Sequence, residues 1–451
     1  MNLKNLLFIS MSAFFIQSCS DDDIVNEPEN PVTEEPTTEE TEETENSAPD
    51  AFDLLTIENE STNTSRTPTL TWEASADIDN DEVTYDVYLD TEMAPQNKIA
   101  ENLTETTFTV VDALDRERTY YWNVVAKDEN NAETSSNSIF SFTTSGIVFS
   151  ASAVESNTSF TARDQHTVVE FNGKLWLIGG SDENYNLGDV WSSEDGENWT
   201  LVAETPFGLP KKGHTSLVFD NKLWAISGFF NDVWSSSNGI DWVRTTSDLG
   251  FDTREGHASF VFNNKMWIVG GRDNQYQSYN DVWSSSDGIE WTQETANAQF
   301  SPRANHTITV LNGVIYLIGG GGVSSDFVPG YSNEVYSSVD GINWTKVETS
   351  SIFEPREAHT AIAFDNKIWV TGGWQVTSND MTGEQQITSF NDVWFSADGA
   401  TWQQLETNEN YEGRLDHASV SFEDKLYIMG GFKIGPSPND RDYFNDIWVI
   451  E

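Results

Sequence analysis

The chain has 451 residues, enough for two or three ordinary domains, and carries 74 acidic against 23 basic residues, a formal net charge of −51. Phosphate contacts need clustered Lys and Arg, so this balance excludes nucleic acid as a partner and argues against docking on anionic lipid heads. Seventeen tryptophans can supply a sizeable core, while a single cysteine, Cys19, excludes an intramolecular disulfide.

The first element is a leader. Met1 to Asn5 include Lys4, and Leu6 to Ile16 form a mostly apolar stretch too short to span a bilayer. Ile16-Gln17-Ser18-Cys19 follows. This resembles the lipobox of bacterial lipoproteins, with Ile for the usual Leu, and implies cleavage before Cys19 and acylation of its thiol. Each buried CH₂ contributes about 0.8 kcal/mol, so several acyl chains would hold the protein on a membrane. Ser20-Asp21-Asp22-Asp23 resembles the acidic export tag of surface lipoproteins in some Gram-negative bacteria, which implies an outer-membrane protein facing the exterior. Residues 20–48 are acidic and rich in Thr and Pro; they cannot bury enough apolar surface to offset ordering entropy, and read as a disordered tether.

Residues 49–145 change character. Thr69–Trp72, Val83–Leu89 and Tyr120–Ala126 alternate in polarity and are rich in aromatic and β-branched residues, which predicts short strands of a β-sandwich. The segment resembles a fibronectin type III domain. Trp72 stands at that family's second-strand Trp, and Leu114 six residues before Tyr120 matches its Leu and tyrosine-corner pair, although Arg116-Glu117 replaces the usual Pro-Gly. The resemblance implies a spacer. Asp77, Asp79 and Asp81 alternate as carboxylates do in calcium loops, yet the Gly and twelfth-position Glu of an EF-hand are missing; they are the metal candidates of the chain beside the plain reading of a polar loop.

From residue 147 to 451 one pattern returns six times. Its first half begins at His166, His214, His257, His306, His359 and His417, and ends in Gly-Gly (Ser227-Gly228 in the second copy). Its second half opens with an acid, as in Asp189-Val190-Trp191, and runs to a Trp such as Trp199; the last copy stops at Asp446–Glu451. Asn172-Gly173 or Asn263-Asn264 joins the first two strands of a copy, and Asp195-Gly196 and its equivalents join the last two, strong hairpin signals. Four strands per repeat of about 50 residues predict a β-propeller. The pattern resembles the kelch family, on the Gly-Gly after strand two, the acid-Val-Trp of strand three and the Trp of strand four. The Ser-Ser-x-Asp-Gly-x-x-Trp hairpin is similar to a shortened sialidase Asp-box, a structural motif. The expected fold is all-β: a six-bladed kelch-type propeller after a fibronectin type III-like sandwich, with Val148–Ala153 supplying the missing fourth strand of the last blade.

Alternating strand direction puts the 2–3 and 4–1 loops on one face, where the long, dissimilar 2–3 loops carry Tyr185, Tyr276, Tyr279, Tyr331, Trp374, Phe432 and Tyr443. Three residues before each His stands a base: Arg163, Lys211, Arg254, Arg303, Arg356 and Arg414, most of them three residues after an aromatic. These bases are expected either to ring the channel mouth and take acidic ligands, as the kelch resemblance implies, or to pair with nearby acids such as Asp164, Glu255 and Glu357. The ligand-binding candidates are therefore the six bases with Tyr185, Tyr276, Trp374 and Tyr443. The six histidines share one repeat position, which predicts a scaffold role between blades.

These readings predict a surface-tethered monomeric binding protein without a cofactor, recognising a glycan or an envelope or extracellular protein and held to the membrane by its lipid alone. The enzymatic alternative is a kelch-type sugar mutarotase or epimerase acting on an acidic sugar, with Asp164, Glu255 or Glu357 as acid–base group. Galactose oxidase chemistry is excluded, since it needs a Cys–Tyr cross-link and non-repeat His ligands.

Overall fold

The computed structural model describes residues 45–451 apart from 151, 155–157, 229, 324–328, 379–384 and 436–439. The leader, Cys19 and most of the acidic segment lie outside the described residues, which form strands, turns and loops and no helix. Two compact units emerge, the second comprising residues 143–451 with two short segments, 62–66 and 114–118.

The first unit is a two-sheet sandwich. One sheet joins β1 (Leu54–Thr56), β3 (Thr69–Trp72) and β6 (Thr107–Thr109). The other runs β2 (Ser61–Thr64), β9 (Phe140–Thr144), β7 (Thr119–Lys127), β4 (Thr84–Asp90) and β5 (Lys98–Leu103), with β8 (Glu133–Ser135) also on β7. Alternation along β7 buries Tyr120, Trp122 and Val124; Val87 is buried beside Val124 on the neighbouring β4, and Leu70 and Trp72 are buried on β3 of the other sheet. Tyr85 crosses Trp72 edge-on at 5.6 Å, and Tyr120 stacks on Phe142 at 6.0 Å. Asp86 is buried on β4 and balanced by Lys98 at 2.6 Å and Lys127 at 2.5 Å, as a buried carboxylate must be.

The second unit is a ring of antiparallel sheets. The first sheet is β10 (Thr167–Phe171), β11 (Lys174–Ser181), β12 (Asn186–Ser193) and β13 (Thr200–Ala203). Four more four-stranded sheets follow, with inner strands Thr215–Phe219, Ala258–Phe262, Thr307–Leu311 and Thr360–Phe364. The sixth has three strands, Ala418–Phe422, Lys425–Met429 and Ile447–Ile450. Phe149 pairs with Ile450 beside it, and the Val148 amide donates to the Glu451 carbonyl at 2.9 Å. Inner strands of successive sheets are neighbours, and the first neighbours the sixth, so the ring closes around a central channel.

The turns follow from their residues. At every junction of strands one and two both central residues have φ near +50 to +75°, as in Asn172-Gly173 and Asn263-Asn264, the type I′ geometry that Asn, Asp and Gly tolerate. At the 3–4 turns Asp195 Oδ1 accepts the Glu197 and Asn198 amides at 2.9 and 2.7 Å, and the Trp199 indole donates to the Gly196 carbonyl at 3.1 Å. Against the opposing effect of burial, the Asn198 side-chain amide, which donates to Asp195 Oδ2 at 2.7 Å, and the two backbone amides hold the Asp195 carboxyl down at about 2. The Asp-Gly-x-x-Trp pattern is thus spent on a self-capped hairpin.

Candidate functional site

The six repeated bases do not ring the mouth. Arg163, Lys211, Arg254, Arg303, Arg356 and Arg414 are all 3 % exposed or less, and each is held by the acid that opens strand three of its own sheet. Arg356 forks onto Asp392 at 2.6 and 2.8 Å and donates to the Gly372 carbonyl at 2.8 Å. Asp392 in turn accepts from the Trp394 indole at 2.7 Å, and the Arg356 guanidinium lies 5.1 Å from the Phe353 ring centroid and 4.0 Å from that of Phe390. The preceding aromatic, the base, the Gly-Gly and the acid-Val-Trp are therefore parts of one buried relay within a sheet. The reason is desolvation: a guanidinium at the root of an inner strand is out of water and needs a paired anion. The pairing acids are Asp189, Asp232, Asp281, Glu334, Asp392 and Asp446, and not Asp164, Glu255 or Glu357.

The histidines link sheets. Nε2 of His214, His257, His359 and His417 meets the hydroxyl of Thr167, Thr215, Thr307 and Thr360 on the preceding sheet at 3.0 to 3.1 Å. Burial, reinforced by the adjacent base, pushes His166, His214, His257 and His359 down to about 3, so these imidazoles stay neutral. The matching residue is Ala418 before His166 and Ala258 before His306, and Nε2 of these two rings has no hydrogen-bond partner. Ala258→Thr and Ala418→Thr are each expected to stabilise the ring by about 0.5–1.5 kcal/mol by restoring the missing link. Thermal melts check this; an unchanged or lower Tm in both variants would show that the link has no net worth.

The channel mouth is built instead from the two positions between base and His, which do not repeat. The first of them reads Asp164, Lys212, Glu255, Ala304, Glu357, Leu415, and the second Gln165, Gly213, Gly256, Asn305, Ala358, Asp416. Every residue of the second set has positive φ, which turns the backbone across the pore. The Gln165 amide donates to Asp416, Asp416 to Ala358, Ala358 to Asn305 and Asn305 to Gly256, at 2.7 to 3.0 Å. Above this chain opens a concavity of about 220 Å³ lined by Gln165, Glu255, Arg272, Asn305 and Asp416 with the imidazoles beneath.

Charge there is concentrated. Arg272 holds Glu255 at 3.1 Å. Burial, with Asp164 adding its repulsion, pushes the Asp416 carboxyl up to about 7, while the Gln165 amide donates to it at 3.2 Å. Burial also raises Asp164, bonded by the Ser181 hydroxyl and eased by Lys212 and Arg441, and raises Glu357 against the pull of Arg272. Because the folded state holds the Asp416 proton more tightly than the unfolded chain, stability is lost as pH rises from about 4 towards about 7. Asp416→Asn is expected to match the wild type in urea at pH 4 and to unfold at higher urea than it at pH 8. Equal midpoints at both pH values would contradict a carboxyl ionising uphill.

The loop aromatics divide. Tyr185 and Tyr276 are 72 and 60 % exposed, the Tyr276 ring centroid lying 5.7 Å from the Arg272 guanidinium. Trp374, Phe432 and Tyr443 join one cluster with Ala358 and Leu415; Phe432 stacks on Tyr443 at 5.5 Å, and Tyr331 meets Trp374 at 5.7 Å. The aromatic wall therefore stands on one side of the mouth, over sheets four to six. Asp77, Asp79 and Asp81 do not converge. Asp77 accepts the Asp79 amide at 2.8 Å, Asp79 the Ser47 amide at 2.7 Å and Asp81 the Asn130 side chain at 2.9 Å. Among the described residues no group of three His, Cys, Asp or Glu could hold a metal ion, since these carboxylates are turned to separate loop donors. Asp164, Glu255 and Glu357 are legible in the sequence as acid–base candidates beside their bases; Asp416, Gln165, Lys212 and Arg272 carry no such mark. Their signal is the departure from the repeat at the two positions inside each base-x-x-His.

Comparison with known proteins agrees with this architecture. The family model of the KLHDC2/KLHL20/DRC7 Kelch-repeats domain matches residues 237–431, and that of the DUF6242 beta propeller domain matches residues 149–254. A solved structure of the protein YjhT is similar at a TM-score of 0.53 and 17 % identity, covering 66 % of this chain and all of YjhT, a likeness of fold. The second unit is a β-propeller, and its residues 237–431 are similar to kelch repeats.

Proposed function

We propose that the protein is a surface-displayed binding protein whose six-bladed kelch propeller, closed by the strand around Phe149, takes a glycan at the channel mouth. The observation that carries this reading is the convergence of non-repeated polar residues, Gln165, Glu255, Arg272, Asn305 and Asp416, around one concavity, with Glu357, Tyr331 and Trp374 on a neighbouring pocket that shares Arg272. Every repeated base and acid is meanwhile consumed in the scaffold. Carboxylates accept sugar hydroxyls and aromatic faces cover their C–H surfaces, whereas an excess of acids at the mouth disfavours anionic polysaccharides. The sandwich serves as a fibronectin type III-like spacer, and acylation of Cys19 with an acidic tether holds the protein at the outer membrane. Isothermal titration of the intact protein against a glycan panel is expected to find a ligand whose binding is lost in Asp164→Asn/Asp416→Asn; binding unaffected by that pair would overturn the assignment.

The raised Asp416 carboxyl favours a second reading, a mutarotase or epimerase in which a neutral acid protonates a ring oxygen. NMR exchange spectroscopy on sialic and uronic acids would reveal catalysed anomer exchange; exchange at the uncatalysed rate removes this alternative.

A further inference from the structure

Beside the channel, among the 2–3 loops of the third, fourth and fifth sheets, lies a second pocket of about 150 Å³. We propose that it is a subsite for one neutral pyranose ring, an inference that rests on the channel-mouth reading and names the chemistry of its ligand. Its walls are Arg272, Ser278, Gly321, Tyr331, Glu357 and Trp374. The Trp374 and Tyr331 rings meet at 76°, so they present a corner in which one indole face can cover the C–H face of a sugar. The opposite wall is glycine, and Glu357 Oε2 occupies the space a Cβ on Gly321 would need, 2.2 Å away.

Ser278 is the independent sign of a ligand. It is 4 % exposed, lines the pocket, and its hydroxyl has no hydrogen-bond partner. A buried hydroxyl without a partner is unfavourable, a cost that a bound sugar hydroxyl would relieve. The pocket offers no free cation. Arg272 is held by Glu255, burial raises the Glu357 carboxyl, and burial foremost pushes Tyr331 up to about 12 so that it stays a hydroxyl. Hydrogen-bonding groups without a free cation fit a polyol and give an anionic sugar nothing to neutralise it. Arg272 lines both this pocket and the main concavity, so a ring here would lie beside the channel mouth.

The test is saturation-transfer NMR and tryptophan fluorescence on the intact protein with methyl glycosides of glucose, galactose, mannose and N-acetylglucosamine, and with glucuronic acid as the charged probe. At least one neutral glycoside is expected to bind and to outcompete glucuronic acid. Trp374→Ala should weaken it roughly tenfold or more and Ser278→Ala severalfold, with melts verifying that both variants fold. Absence of binding by every neutral glycoside, or affinity unchanged in both variants, overturns the subsite. If an oligosaccharide still binds and responds to Asp164→Asn/Asp416→Asn but not to Trp374→Ala, the subsite fails and the channel-mouth reading stands. If no glycan of any length binds, both fall.

Discussion

Arg356→Ala is expected to destabilise the propeller by about 3–5 kcal/mol, the range for removing one partner of a buried ion pair. Arg356 is 0 % exposed. Its removal strands Asp392, which then keeps only the Trp394 indole, and leaves the Gly372 and Glu354 carbonyls without donors they now hold at 2.8 and 3.0 Å. The two flanking rings, Phe353 and Phe390, lose the cation between them as well. Arg356→Lys should recover only part of the loss, because an ammonium cannot fork onto both carboxylate oxygens and also reach the Gly372 carbonyl. The second sheet already carries such a lysine: Lys211 reaches one oxygen of Asp232 and its ammonium is lowered by burial. Guanidinium unfolding followed by far-UV circular dichroism measures the effect. An Arg356→Ala midpoint close to that of the wild type would mean that the relay is not a structural element, and would reopen these bases as ligand contacts.

That prediction inverts an expectation drawn from sequence, and the reason is instructive. Strands, turns and repeat boundaries were legible because they rest on local signals: apolar alternation, Asx-Gly pairs, a motif returning from His166 to His417. The pairing of Arg163 with Asp189, or of Arg356 with Asp392, joins positions 26 and 36 residues apart, and no local pattern distinguishes a base facing solvent from one folded back onto strand three. A repeat shows which residues every sheet needs. By the same logic it draws attention away from the channel mouth, where copies differ, as at Gln165, Asn305 and Asp416. Arg272 and Ser278 lie in a 2–3 loop whose path the sequence leaves open, so their convergence with Trp374 is visible only in the folded chain.

The second large effect concerns how one sheet grips the next. Gly239→Ala is expected to destabilise the propeller by about 3 kcal/mol or more, whereas Gly173→Ala should lower stability by about 1–2 kcal/mol, although both glycines sit in hairpin turns with φ near +75°. The shared part is the left-handed backbone, which any β-carbon strains. The difference is what that carbon meets. At Gly173 nothing lies within 4 Å, while at Gly239 it would stand 2.1 to 2.4 Å from three ring atoms of Trp176 on the first sheet. Trp176 cannot retreat easily: it is 6 % exposed, its indole donates to the Phe171 carbonyl at 3.1 Å, and it packs in a cluster with Leu223, Ala225 and Trp242 of the second sheet. The same aromatic-on-glycine contact joins Trp224 to Gly288, Trp267 to Gly341, Tyr316 to Gly399 and Tyr427 to Gly196. The sixth sheet has no such turn, and the aromatic cluster shared by sheets five and six takes Ile147 and Phe149 as packing residues. The 3–4 glycines therefore act as sockets that set the spacing of the ring, and that spacing holds the mouth residues in register around the channel. Differential scanning calorimetry of the two variants tests the point, and a Gly239→Ala Tm no lower than that of Gly173→Ala would show that the sheets can slide to make room.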